Sequence, residues 1–295
     1  MMDEKVKPVL KWVGGKRELI PKIRPFYTNL KFGKYIEPFF GGGSVYLDIV
    51  DNYKTKDFNN FVINDRNRDL TDLYKNIKTN PNEILKYCQK IEEEFLKYGY
   101  YYVRDRFNGI TRDKKVVKKY EGIERSAALI VLNKTGFNGL YRTNRSGLYN
   151  VPEGSRKGIL NVVDKQNLYN LSKILPEVQN IRNGDFNEIQ GINKGDLVYF
   201  DPPYHPINET SSFTEYSGVF GVNEQKKLKD YFTKLDQSGV YVLESNSATD
   251  FIKNLYKDFK IVEVDCRRSV NSKADARGKI KEFLILGNTL SKALE

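Results

Sequence analysis

The chain of 295 residues contains one histidine, two cysteines and one tryptophan. His205, standing alone, cannot serve at once as triad base, metal ligand and proton shuttle, so most hydrolase mechanisms are excluded. Cys88 and Cys266 lie far apart with no CxxC spacing, which rules out a disulfide scaffold and a cysteine-based zinc site. Such sparing cysteine use suits a reducing cytoplasm. No apolar run approaches the ~18 to 20 residues of a membrane span. The charged start Met1-Met2-Asp3-Glu4-Lys5 has no apolar signal core behind it, so neither secretion nor membrane insertion is expected. Internal repeats are lacking as well.

Aromatic rings and positive charge are what the chain has in quantity. Twenty tyrosines and 17 phenylalanines, within 39% hydrophobic residues, supply the core that a disordered chain would lack. The length accommodates two average domains, or one α/β domain carrying an insertion. Lysine and arginine outnumber aspartate and glutamate by 49 to 38, a net +11 that either points to a polyanionic partner or serves solubility. Residues 86–158 hold 16 basic and 8 acidic residues, so +8 of that charge falls in a quarter of the chain. The basicity is concentrated where a polyanion would be held, in a stretch that reads as a module inserted into an α/β sheet.

Near the N-terminus, Tyr35-Ile36-Glu37-Pro38-Phe39-Phe40 stops at Gly41-Gly42-Gly43-Ser44, and Val45-Tyr46-Leu47 resumes in a helix-compatible pattern. A second strand, Phe61-Val62-Ile63, ends at Asn64-Asp65-Arg66-Asn67, with its acid 24 positions beyond Gly41. This spacing suits a βαβ unit that holds a nucleoside: glycines let the backbone approach the ligand, and the later acid accepts from ribose hydroxyls. Further on, Leu197-Val198-Tyr199-Phe200, Gly239-Val240-Tyr241-Val242-Leu243 and residues 280–286 read as strands. The spacing of Leu228, Phe232 and Leu235 predicts a helix over 223–235. The first of these strands ends in Asp201-Pro202-Pro203-Tyr204. Two prolines make a rigid turn without competing N–H donors, so the Asp201 carboxylate and the carbonyls after it can accept from a planar amine. Tyr204 offers a face on which a base can stack. A plain strand terminator is the alternative reading of this tetrapeptide taken by itself.

Taken in order, these segments resemble the Dam-like DNA adenine-N6 methyltransferases, in which the target-recognition region lies between the cofactor motifs and the catalytic turn. The resemblance covers nearly the whole chain. It runs through Leu10-Lys11-Trp12-Val13-Gly14-Gly15-Lys16, Glu37-Pro38-Phe39-Phe40-Gly41-Gly42-Gly43-Ser44, Asn64-Asp65, Phe137-Asn138-Gly139-Leu140-Tyr141-Arg142 and Asn150-Val151-Pro152. It continues with Gly184-Asp185-Phe186, Asp201-Pro202-Pro203-Tyr204, Ser245-Asn246 and Arg267-Arg268-Ser269. GATC methylases of the DpnM type are the nearest in look. The resemblance implies a Rossmann-like, mostly parallel α/β sheet built from residues 1–70 and 166–295. Residues 71–165 would then be a largely helical DNA-recognition insertion with a β-hairpin near 137–152.

The same resemblance implies S-adenosyl-L-methionine as methyl donor, S-adenosylhomocysteine as product, and no metal. Trp12 and Lys16 would line the cofactor pocket, with Phe39, Gly41 and Gly43 near the methionine part. Asp65 would hold the ribose, and Asp185 with Phe186 the adenine ring; Asp201 borders the same pocket. An adenine amine is a poor nucleophile because its lone pair is delocalised into the ring. Asp201 and the Pro202 carbonyl would accept its two hydrogens and localise that pair, with Pro203 stiffening the turn and Tyr204 stacking on a flipped-out base. Duplex DNA is the expected partner, and GATC the expected site. Lys11, Asn138, Leu140, Arg142, Asn144, Pro152 and Arg156 would contact it, Arg142 by a guanine edge and Leu140 by a thymine methyl. Arg267 and Arg268, with Lys273, Arg277 and Lys279, read as a basic loop ordered by phosphates. After Pro152 the chain has Glu153-Gly154-Ser155-Arg156-Lys157, where relatives usually carry an aromatic residue, then glycine.

A cognate restriction endonuclease and a monomeric state in solution complete the expected setting, in a prokaryotic or phage-infected cytoplasm. Cytosine carbon-5 chemistry is excluded, because neither cysteine has a proline beside it. Cytosine amine methylation stays open on acceptor geometry, although the acidic first residue of the turn favours adenine. A DNA-binding protein that keeps the fold without the chemistry, and an RNA or protein amide methyltransferase, are the other classes. His205 reads as local structure before catalysis, and residues 100–102 as helix packing before base stacking.

Overall fold

A computed structural model describes residues 5–12, 14–53, 57–155, 161–205, 220–267 and 279–295. The first half contains α1 (Ile20–Ile23), β1 (Tyr35–Glu37), α2 (Ser44–Tyr53), β2 (Phe61–Asp65) and α3 (Arg68–Thr79). Three helices follow without an intervening strand: α4 (Pro81–Tyr98), α5 (Tyr100–Asn108) and α6 (Gly122–Thr135). After α7 (Lys165–Ile174) the α/β alternation resumes with β3 (Ile181–Asn183), β4 (Leu197–Phe200), α8 (Val222–Gln237), β5 (Tyr241–Ser247) and α9 (Asp250–Leu255). The chain closes with β6 (Lys260–Arg267), β7 (Lys279–Leu286) and α10 (Asn288–Ala293).

The strands form one seven-stranded sheet in the order β3-β2-β1-β4-β5-β7-β6. The first five run parallel, and β7 lies antiparallel between β5 and β6. This is the mostly parallel, Rossmann-like sheet expected from the motifs. Side chains of a strand alternate between faces, so a sheet covered on both sides buries every position. Ile36, Val62, Val198, Phe200 and Val242 enter one apolar cluster with α8 and α9. Tyr35, Phe61, Ile63, Leu197, Tyr199 and Leu243 enter the other, with α2, α3 and the inserted helices. α6 is buried from Ser126 to Asn133, so it packs on all sides and joins the inserted helices to the sheet layer.

Sheet order positions the chemistry. β1 and β4 are neighbours, but β1 leads outward to β2 and β4 leads the opposite way to β5. The loops leaving their carboxyl ends therefore diverge and open a crevice, the place where doubly wound sheets bind ligands. The glycine turn leaves β1 and the Asp-Pro-Pro-Tyr turn leaves β4, both at that crevice. The hairpin expected near 137–152 takes the form of two antiparallel bridges, Gly136 to Glu153 and Thr143 to Tyr149. Among the described residues, no helix is long and apolar enough to cross a membrane.

Candidate active site

Packing constrains the glycine turn after β1 from within the chain. Gly41 and Gly43 have φ of +49° and +68°, a left-handed region that side chains resist. A Cβ on Gly41 would come within 2.9 Å of the Trp12 ring, and one on Gly42 within 2.9 Å of Trp12 Cβ. One on Gly43 would lie 2.5 Å from Phe40 Cζ. Two rings of this protein thus take the room the glycines leave. Trp12 thereby reaches the crevice, its ring 5.8 Å from that of Tyr141. The turn is also tied to β2: Gly41 N–H donates to Asp65 Oδ2 at 2.9 Å and Asn67 N–H to Asp65 Oδ1 at 2.8 Å. Burial lifts the Asp65 carboxyl to a pKa of about 6, against the pull of those two N–H groups. Asn64 laces two loops together, its Nδ2 donating to the carbonyls of Pro38 at 3.0 Å and Gly184 at 3.1 Å.

Across the crevice, Lys16 Nζ lies 2.7 Å from Asp201 Oδ1 and donates to the Gly14 carbonyl at 2.9 Å. The same ammonium stands 4.5 Å from the centroid of the Tyr204 ring. Lys16 is only 7% exposed and Asp201 21%, so the lysine end of this pair is buried while the carboxylate keeps an open side. Burial raises the pKa of Asp201, and Lys16 counteracts it by favouring the carboxylate. Ser245 Oγ donates to Asp201 Oδ1 at 3.2 Å and is 2.9 Å from the Tyr199 hydroxyl. Tyr204 is fixed from β7, its hydroxyl donating to Glu282 Oε2 at 2.6 Å. The proline turn is held by a buried relay. Gln225 Nε2 donates to the Pro203 carbonyl at 3.0 Å, Asn246 Nδ2 to Gln225 Oε1 at 3.0 Å and to Glu244 Oε1 at 2.8 Å. His205 stacks on Phe251 with centroids 4.5 Å apart, and its carbonyl accepts from Ser247 Oγ at 2.8 Å. Its Nδ1 is buried and has no hydrogen-bond partner among the described residues.

A third wall is aromatic. Phe39 stacks on Phe186 at 5.4 Å, with Phe220 edge-on to Phe39 at 5.6 Å. Lys227 Nζ lies 3.3 Å from Asp185 Oδ2 and 5.4 Å from the Phe186 centroid. Asp185 Oδ1 is buried and has no hydrogen-bond partner among the described residues.

Of the residues expected at DNA, Asn138, Leu140, Arg142, Asn144 and Pro152 belong to the 137–152 loop, and Lys11 is tied to it. Asn133, buried on α6, clamps the loop to the N-terminal segment. Its Oδ1 accepts from Lys11 N–H at 2.8 Å, and its Nδ2 donates to the carbonyls of Lys11 at 3.0 Å and Gly139 at 2.8 Å. Asn138 adopts φ of +54° at the turn, and Phe137 N–H donates to the Pro152 carbonyl at 2.9 Å. Leu140 is half-buried against the core, and its carbonyl accepts from the Tyr149 hydroxyl at 3.1 Å. Arg142 is exposed and aimed by Asn150, whose Oδ1 accepts from Nε at 2.8 Å. Asn144 Oδ1 closes the loop tip by accepting from the N–H groups of Ser146 and Leu148 at 3.0 Å. Glu153 is exposed on its bridge to Gly136, so the departure from the usual aromatic residue falls at a solvent-facing position. Arg267 closes β6, and Lys279 opens β7. Arg156, Arg268, Lys273 and Arg277 lie outside the described residues.

Sequence reading missed Glu282, Asn133, Gln225 and Glu244. Glu282 carried a signal, as an acid breaking the apolar end of a strand in Glu282-Phe283-Leu284-Ile285. Asn133 carried none, because its role depends on two segments that meet only in the fold.

Comparison with known proteins agrees with this geometry. The profile of the D12 class N6 adenine-specific DNA methyltransferases matches residues 12–270. Type II methyltransferase M.MjaIII of Methanocaldococcus jannaschii is 40% identical, with 95% of this chain and 99% of the relative covered. Type II methyltransferase M1.LlaDCHI of Lactococcus lactis subsp. cremoris is 36% identical, with 95% of each chain covered. A DNA adenine methylase of Haemophilus influenzae is 32% identical over 96% of this chain and 94% of its own length. The chain belongs to the D12 class of N6 adenine-specific DNA methyltransferases.

Proposed function

We propose that the enzyme methylates N6 of an adenine flipped out of duplex DNA, at the site GATC, with Asp201, Pro202, Pro203 and Tyr204 as the catalytic turn. The observation that supports the catalytic turn is the Lys16 ammonium, which donates to Asp201 Oδ1 at 2.7 Å while standing 4.5 Å from the Tyr204 ring centroid. An N–H donor over an aromatic face and against a carboxylate is the arrangement an adenine amine requires. Asp201 and the Pro202 carbonyl accept its two hydrogens, making the nitrogen more tetrahedral and aiming its lone pair out of the ring. Tyr204 stacks on the base and recovers part of the few kcal/mol spent on unstacking it.

The family implies S-adenosylmethionine as donor, which when bound supplies an electrophilic methyl group on a sulfonium. The residues present fit it: Asp185 Oδ1 is a buried acceptor without a hydrogen-bond partner among the described residues, suited to an adenine amine against Phe186 and Phe39. Asp65, anchored by Gly41 and Asn67, takes the ribose hydroxyls, while Trp12, Lys16, Gly41 and Gly43 shape the methionine end. Residues 1–70 and 166–295 form the catalytic part and 71–165 the recognition part. Arg142 and Leu140 read base edges, and Asn138, Asn144 and Pro152 shape the loop that presents them. Lys11, Arg156, Arg267 and Arg268 contact the DNA backbone. The type II names of two relatives support pairing with a cognate endonuclease.

Transfer of labelled methyl groups to duplex DNA, followed by base analysis, is expected to give N6-methyladenine alone. Digestion with a nuclease blocked at methylated GATC tests the site: treated DNA should resist it, and full cleavage would refute GATC while leaving adenine methylation standing.

A further inference from the structure

A second basic element projects from the recognition helices beside the 137–152 loop. α5 ends at Gly109, whose φ of +76° is the left-handed turn favoured after a helix. The chain then doubles back. Val117 N–H donates to the Gly109 carbonyl at 3.1 Å, Thr111 N–H donates to the Lys115 carbonyl at 2.9 Å, and Ile110 bridges Val116 antiparallel. The tip is closed by Thr111, whose carbonyl accepts from Lys114 N–H at 3.0 Å and whose Oγ1 accepts from Lys115 N–H at 3.0 Å. The resulting hairpin exposes Arg112, Lys114, Lys115, Lys118 and Lys119, while Asp113 is the one acid in residues 110–120. None of these five cations forms an ion pair with an acid among the described residues.

The hairpin is held in place at its base. Arg106 Nε donates to the Lys118 carbonyl at 3.1 Å, and Tyr120 N–H donates to the Arg106 carbonyl at 3.0 Å. One residue before the hairpin, Asn108 grips the neighbouring loop through both side-chain atoms. Its Oδ1 accepts from Tyr149 N–H at 2.8 Å and its Nδ2 donates to the Tyr149 carbonyl at 3.0 Å. Five like charges crowded on one short turn repel each other, and a polyanion laid across them removes that cost by releasing its counterions.

We propose that this hairpin is a second DNA-contacting element, which grips backbone phosphates flanking the base pairs read by the 137–152 loop. The inference rests on the reading that duplex DNA lies on that loop, and it adds a contact surface that carries affinity without sequence information. Its ligand is the phosphate backbone of the same duplex, beyond the methylated site.

The test compares the full-length parent with a K114Q/K115Q/K118Q variant on two duplexes containing the site, one about a single helical turn long and one about three turns long. Circular dichroism confirms that the variant is folded. For the parent, the longer duplex should bind more tightly. In the variant that advantage should shrink on the order of tenfold, and the slope of log Kd against log salt on the longer duplex should fall by about 2 to 3, near 0.9 per lost phosphate contact. Unchanged affinity and slope on the longer duplex would overturn the proposal. An equal loss on both duplexes would overturn it too, by showing that the hairpin merely supports the reading loop. Failure of the underlying reading is separately visible, as a parent chain that transfers no methyl group to either duplex.

Discussion

Asp201 sits between opposing influences: burial disfavours its charge, and the Lys16 ammonium 2.7 Å away restores it. In the proposed role Asp201 accepts one amine hydrogen as a carboxylate, and protonation weakens it as an acceptor, so activity should fall as pH drops through its raised pKa. Replacing Lys16 with Met removes the favourable charge, and the acid limb of kcat against pH should move to higher pH, while Lys16→Arg should leave it near the parent position. An acid limb that stays put in Lys16→Met would end the assignment. Glu282 acts on Tyr204, not on substrate, and is a positioning residue. Glu282→Leu should lower kcat about tenfold with little change in KM for the cofactor, the size of one lost charge-assisted hydrogen bond. Glu282→Gln, which keeps an acceptor, should recover most of it. Tyr204→Phe should match Glu282→Leu, and the double variant should lose no more than either alone, because both break the same contact. Additive losses would show that Glu282 works by another route.

At the scale of elements, the two turns that make the crevice were legible because each is punctuated. Three glycines end β1, two prolines follow β4, and both runs are preceded by buried-strand patterns. The reason for the glycines was not legible: Gly41 and Gly42 make way for Trp12, some thirty positions earlier, and no local pattern announces such a contact. β3 escaped notice because a three-residue edge strand of Ile181-Arg182-Asn183 has no period to read. β6 alternates only from Val262 onward, with Val262, Val264 and Cys266 against Glu263, Asp265 and Arg267, and the adjacent Ile261-Val262 pair and the basic cluster that follows blur that period. The clamp made by Asn133 is the strongest case of function hidden from sequence, since one buried amide joins the Trp12 segment to the turn before Leu140. Asn133→Ala leaves the Lys11 and Gly139 backbone groups without this partner, and should cost about 2 to 4 kcal/mol of stability in urea unfolding. Cofactor and DNA affinity should weaken together. Loss of one affinity with the other intact would mean that the amide serves a single segment.

Across the whole molecule, +8 of the net +11 falls in residues 86–158, while the sheet holds buried acids. Glu37, Asp65 and Asp201 stand at the carboxyl ends of parallel strands or just beyond, Glu244 lies in the middle of β5, and burial raises the pKa of each. Basic surface draws the polyanion in, whereas the buried acids accept hydrogen bonds at the reacting end. This arrangement has a thermodynamic consequence that can be measured on Glu244, which is fully buried and raised to about 7 from an ordinary value of 4.5. Between those two values the folded chain keeps a proton that the unfolded chain has released, so stability falls as pH rises through the interval. The loss has a ceiling of about 3 kcal/mol, and above pH 7 it is complete. Asp65, raised to about 6, contributes with the same sign. Glu244→Gln removes the titration but also gives up one acceptor, since Asn246 and Tyr256 both donate to this carboxyl, at 2.8 Å and 2.7 Å. The variant should therefore be less stable than the parent at pH 5, and the gap should close or reverse by pH 8. Urea midpoints at several pH values would show the two stability curves converging, and parallel curves would mean that Glu244 is already ionised in the folded protein.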